Sequence, residues 1–158
     1  MSKYYIAYGS NMNFSQMRYR CPNARFVETK ILKDVRLVFR RSGGGYANLE
    51  KADGYRTPVV IYEITDKCEK ALDRYEGCPT YYVKKNVTLH IGGSKKNKIT
   101  AMMYVMNRKF ENEVFMPRRD YFETIRMGYE KHELELQPLY SALKETVNEF
   151  YYLGEWTK

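Results

Sequence analysis

Lys3-Tyr4-Tyr5-Ile6-Ala7-Tyr8-Gly9-Ser10-Asn11 opens the chain with an alternating, aromatic-rich run that breaks at a glycine. Alternation of period two followed by glycine marks a strand that ends in a turn, so residues 3–8 are read as a first strand. Beyond the turn, Asn13 and Gln16 have the spacing of a capping box and predict a short helix. Phe14, Met17 and Cys21 fall on one side of it, and Pro22 ends it.

Working outward, Arg36-Leu37-Val38-Phe39 predicts a second strand, and Ala47-Asn48-Leu49 a short one after Gly43-Gly44-Gly45, read as a flexible hinge or a place of close backbone approach. Val59-Val60-Ile61-Tyr62-Glu63-Ile64 is β-branched and nearly continuous, the pattern of a central strand. A helix is expected from Asp66, with Glu69 completing a second capping box and Cys68, Ala71, Leu72 and Tyr75 as its buried stripe. Gly77 is placed to end that helix, and Pro79 prevents its resumption, which puts Glu76 where helix hands over to loop. Tyr82 to Ile91 and Ile99 to Met106 read as a hairpin across a Gly-Gly-Ser-Lys loop. Helices are expected from about Asp120 to Lys131 and after Pro138. Residues 151–158, with Trp156, are read as a C-terminal tail on a single domain of residues 1–150. Strands outnumber helices and hairpin connections dominate the middle, so the fold class is α+β, with a sheet able to close into a barrel.

Composition narrows the function. A chain of 158 residues with 16 tyrosines and 7 phenylalanines can bury a sizeable core and keep hydroxyl groups on pocket walls. No uninterrupted apolar run approaches the length needed to span a membrane. The charge of +8 comes from scattered pairs and from the loop Ser94-Lys95-Lys96-Asn97-Lys98, the composition of a solvated hairpin tip. Nucleic-acid binding is therefore a weak reading. Cys21, Cys68 and Cys78 are odd in number and lack CxxC spacing, which argues against a disulfide framework or a thiolate zinc site. The expectation is reduced, mostly buried thiols in the cytoplasm. His90 and His132 have no metal-ligand spacing, and no nucleophile elbow, phosphate loop or dinucleotide fingerprint is present.

What remains is a carboxylate facing backbone amides. The N–H groups of Gly9, Ser10 and Asn11 could line one concavity suited to a carboxylate or a developing oxyanion, although the same tetrapeptide also fits a plain strand-to-helix turn. Glu76 meets the negative end of its helix dipole, and burial beside Tyr75, Tyr81 and Tyr82 would raise its pKa toward neutrality. Alone, it also fits a surface glutamate at a frayed helix end. Asp73, on the same helix, competes with it but reads as a structural or capping acid.

The ordered set Tyr4 to Asn11, Arg20-Cys21-Pro22-Asn23-Ala24, Gly45-Tyr46-Ala47, Leu72-Asp73-Arg74-Tyr75-Glu76-Gly77, Tyr82-Val83, Pro117 with Tyr121 and Gly128, and Tyr140 with Leu143 resembles the gamma-glutamylcyclotransferase (AIG2-like) family over most of residues 4–145. The resemblance implies a small mixed, largely antiparallel β-barrel flanked by helices. It also implies cyclisation of a gamma-glutamyl group to 5-oxoproline with release of the attached amine. On that basis Glu76 is expected to be the general acid/base. Tyr8, Gly9, Ser10 and Asn11 are expected to hold the glutamyl moiety, with Tyr82 and Tyr121 as polar pocket walls. No cofactor or metal is implied, and the partner is a small gamma-glutamyl substrate. A non-catalytic binding module on the same fold is the alternative, but a pure binder has no need of the acid.

Overall fold

The computed structural model describes residues 3–93 and 95–156, with backbone alone from residue 153. Ser94 of the lysine-rich loop, residues 157 and 158 of the tail and the side chain of Trp156 lie outside the described residues. Five strands form one sheet: β1 (Lys3–Ala7), β2 (Arg25–Arg40), β3 (Tyr46–Ile64), β4 (Tyr82–His90) and β5 (Lys98–Met106). Their order is β2-β3-β1-β5-β4; β1 runs antiparallel to β3 and parallel to β5, and the two hairpins are antiparallel. The class is α+β with a mixed, largely antiparallel sheet, as expected. The sheet is not closed among the described residues: β2 and β4 share no ladder. The two edges meet at one end, where the Gly92 N–H donates to the Glu28 carboxylate at 2.9 Å.

Four helices flank the sheet: α1 (Phe14–Arg20), α2 (Asp66–Glu76), α3 (Arg119–Lys131) and α4 (Gln137–Trp156). Residues 151–156, read above as tail, continue α4. Asn13 caps α1 as its spacing predicts, accepting from the N–H groups of Ser15 and Gln16. The cap of α2 is Thr65 rather than Asp66: its hydroxyl accepts from the Cys68 N–H at 3.1 Å, while Asp66 turns outward to Lys3. Gly77 closes α2 in the left-handed conformation (φ 63°), which glycine adopts without a Cβ clash. No helix among the described residues is long and apolar enough to cross a membrane.

The core lies between the sheet and the helices, centred on Ile6, Met12, Met17, Phe39, Tyr62, Leu72, Ile125, Tyr129 and Leu139, all fully buried. The expected stripes largely hold, with Tyr75 as an exception, since its ring is exposed. The cysteine reading requires correction. Cys21 and Cys68 are paired, their sulfurs at 2.34 Å and their Cα atoms 5.1 Å apart, and Cys78 alone is free. A separation of 47 residues without local spacing hid this pairing; it exists because the end of α1 packs on the first turn of α2.

Candidate active site

β1 delivers its aromatic run to the sheet's interior and stops at Gly9. Residues Ser10–Met12 then wind into a single 3-10 turn, closed by Met12 N–H donating to the Gly9 carbonyl and Asn13 N–H to Ser10. The backbone N–H groups of Gly9, Ser10 and Asn11 meet no hydrogen-bond acceptor among the described residues. Space at position 9 favours glycine, since a Cβ would press on Ala47. A Cβ there would stand 3.2 Å from the Cβ of Ala47 and 3.5 Å from the Tyr121 hydroxyl. Its φ of −119° needs no special freedom.

The turn is braced from every side. Tyr62 Oη donates to the Asn11 carbonyl at 2.8 Å, and Asn11 Nδ2 donates to Tyr5 Oη at 3.0 Å. Arg20, from the end of α1, donates to Ser10 Oγ at 3.2 Å and to Asn11 Oδ1, with its guanidinium lying over the Tyr75 ring. α3 presses on the turn from outside, where Gly128 leaves only 3.0 Å between a would-be Cβ and the Asn13 nitrogen. His132 donates from Nε2 to the Met12 carbonyl at 2.9 Å. The Asn11 side chain is thus spent on holding the loop, and its backbone N–H is the group left over.

Tyr82 and Tyr121 converge on the backbone of one residue, Ala47. Tyr82 Oη donates to the Ala47 carbonyl at 2.6 Å, and Tyr121 Oη accepts from the Ala47 N–H at 3.0 Å. Tyr82 has therefore used its proton, whereas Tyr121 keeps its own available. Tyr8 Oη donates to the Tyr104 carbonyl at 2.5 Å, and Tyr104 Oη to Asp73 at 2.6 Å. Burial holds the hydroxyls of Tyr8, Tyr82 and Tyr121 above the usual tyrosine range, so they stay neutral donors.

Glu76 is the last residue of α2 and stands on the wall of a 340 Å³ cavity that Tyr8, Gly9, Ser10, Asn11, Tyr82 and Tyr121 also line. The structure thus brings together every residue picked from the sequence. Burial pushes the Glu76 carboxyl up to about 7, against the opposing charges of Arg20 and Arg41. Asp73, three residues earlier, is tied to Lys84 and Tyr104, a structural role as expected. Sequence reading missed Tyr5, Arg20, Arg41 and Tyr104. Tyr5 and Arg20 stood within quoted motifs but had no spacing that assigned them work. Arg41 carried no signal at all.

Among the described residues no group of three or more His, Cys, Asp or Glu side chains could hold a metal ion. His132 is engaged by Met12 and by the rings of Phe14 and Phe26. What the cavity offers is one acid poised near neutrality, a row of unpaired amides, and neutral hydroxyls in fixed directions. That set can bind an anionic group, stabilise negative charge as it develops and carry one proton.

The model of the family described as "Gamma-glutamyl cyclotransferase, AIG2-like" matches residues 5–123. The chain is 28% identical over 142 residues to the gamma-glutamylcyclotransferase of Bos taurus and 27% identical to that of Homo sapiens. In both cases 84% of this chain and 73% of the relative are covered. A solved structure named gamma-glutamyl cyclotransferase superposes with a TM-score of 0.76 at 26% identity, covering 90% of this chain and 86% of the other. With the family model matched over residues 5–123, most of its length, the chain belongs to the gamma-glutamyl cyclotransferase, AIG2-like family.

Proposed function

We propose that this chain cyclises the gamma-glutamyl group of a small substrate to 5-oxoproline, with Glu76 as general acid/base. The observation that supports the reading is the shared cavity, with the Glu76 carboxyl on one wall and the unpaired amides of Gly9, Ser10 and Asn11 on another.

In the reaction the α-ammonium of the glutamyl group passes a proton to the Glu76 carboxylate. The freed amine attacks the γ-carbonyl carbon, a C–N bond forms, and negative charge moves onto the carbonyl oxygen. Glu76 then returns the proton to the leaving nitrogen as the old C–N bond breaks, and the ring nitrogen gives up its remaining extra proton to the released amine, leaving 5-oxoproline and a free ammonium. The nucleophile belongs to the substrate, so the protein's task is to fold the glutamyl chain and move one proton. Orientation of this kind can contribute up to about 7–11 kcal/mol. A single placed proton carrier adds roughly 10²- to 10⁴-fold. The amides of Gly9 to Asn11 suit the glutamyl carboxylate or the oxyanion, and the Tyr121 hydroxyl, with its proton unspent, is a further donor.

A panel of gamma-glutamyl compounds scored for 5-oxoproline by mass spectrometry tests this. Glu76→Gln is expected to keep the fold and to lose at least about 100-fold in kcat. Near-normal turnover would refute the assignment. A binding module on this fold would bind panel members without forming product, and it would gain nothing from an acid tuned to about 7.

A further inference from the structure

Three guanidinium groups stand around the cavity. Arg20 is committed to Ser10, Asn11 and the Tyr75 ring. Arg74 lines the rim and is exposed. Arg41 differs from both. It is half-buried on the cavity wall, and among the described residues its side chain makes no hydrogen bond and no ion pair. Aromatic rings hold it instead, for its Cζ lies 4.3 Å from the centroid of Tyr46, 4.3 Å from that of Tyr81 and 5.9 Å from that of Phe110. Stacking occupies the faces of a guanidinium and leaves its in-plane N–H groups free to donate.

The backbone beneath is equally fixed. Arg41 sits at φ 80°, a left-handed conformation that a residue with a Cβ seldom adopts. It is held there by its N–H donating to the Glu113 carbonyl at 2.8 Å. Its own carbonyl accepts from Gly44 and Gly45. A rigid fork of unspent donors suits a planar anion that it can grip at two points.

Position says which anion. In the cyclotransferase reading, on which this step rests, the glutamyl moiety lies at the Gly9–Asn11 turn. The leaving nitrogen must then come within reach of Glu76. Whatever that nitrogen carries extends past Glu76 toward the remaining wall. Arg41 lines that same cavity, and its charge acts on Glu76 without forming an ion pair with it. We propose that Arg41 is the specificity-determining residue for the leaving group, taking up through its guanidinium a carboxylate borne by the released amine.

Gamma-glutamyl-alanine and gamma-glutamyl-ethylamine differ only in that carboxylate, so their kcat/KM ratio isolates the contact. The wild-type ratio is expected to favour the alanine compound by about 10- to 100-fold, expressed mainly in KM. Arg41→Gln should bring the ratio close to one, and Arg41→Lys, which keeps the charge but loses the fork, should give an intermediate value. A wild-type ratio near one, or a ratio that survives in Arg41→Gln, overturns the proposal. Should neither compound be cyclised, calorimetric binding of the same pair separates the two readings. A carboxylate preference that disappears in Arg41→Gln upholds the role of Arg41 while the cyclotransferase reading falls. Absence of any preference in binding sinks the role of Arg41 as well.

Discussion

Glu76 owes its proton affinity first to burial and then to its place at a helix end, against the pull of two arginines. Gly77 ends α2 immediately after it, so the carboxyl meets the negative end of the helix dipole. The tyrosine-lined wall removes water, and Arg20 and Arg41 pull the other way, leaving the group at about 7. Proton abstraction from the substrate ammonium needs the carboxylate. Protonating Glu76 therefore removes the base, and kcat/KM should fall tenfold per pH unit below about 7. A pH–rate profile checks this, and Glu76→Gln should lack that acidic limb at whatever residual rate it retains. An unchanged limb in the variant would assign it to another group. The place of Glu76 at a helix end was legible from Gly77 and Pro79. The arginines that tune it were not, because their distance from it along the chain carries no pattern.

At the scale of elements, α2 is the beam that carries the acid, and its start is set by one hydroxyl. Thr65 accepts from the Cys68 N–H, whereas Asp66 is exposed and reaches only Lys3. Thr65→Ala should destabilise the protein by about 1 kcal/mol, measured by denaturant unfolding, and Asp66→Ala clearly less. The reverse order would restore Asp66 as the cap. Both residues are good caps in type, and the choice between them depends on backbone geometry one residue apart. The β2–β3 hairpin was legible only in pieces. Val59 to Tyr62 and Leu37 to Phe39 are buried and apolar, but residues 50–56 between them are largely exposed and charged, so alternation fades where the ladder continues. A strand whose faces both meet water has no hydrophobic period to display.

Across the whole molecule, the link between Cys21 and Cys68 ties α1 to α2, and so ties the helix that braces the Gly9–Asn11 turn to the helix that bears Glu76. Thiol titration in denaturant without reductant should find one free cysteine, Cys78, and three after reduction. Three free thiols before reduction would contradict the pairing. Reduction should lower stability on the order of 2–4 kcal/mol, since the bond restrains a long loop of the unfolded chain. With two of three cysteines paired, the thiol pattern no longer argues for a reducing compartment.

The residues by themselves determined what acts over a few positions. They set the halt of β1 at Gly9, the cap at Asn13, the end of α2 at Gly77 and the β4–β5 hairpin, because helix, strand and turn preferences are local. Tertiary structure alone decided which side chains share the cavity. It joined Cys21 to Cys68, aimed Tyr82 and Tyr121 at the backbone of Ala47, and set Arg41 against the rings of Tyr46 and Tyr81. Contacts between distant parts of a chain follow from how helices and strands pack in three dimensions, and no spacing along one dimension records that.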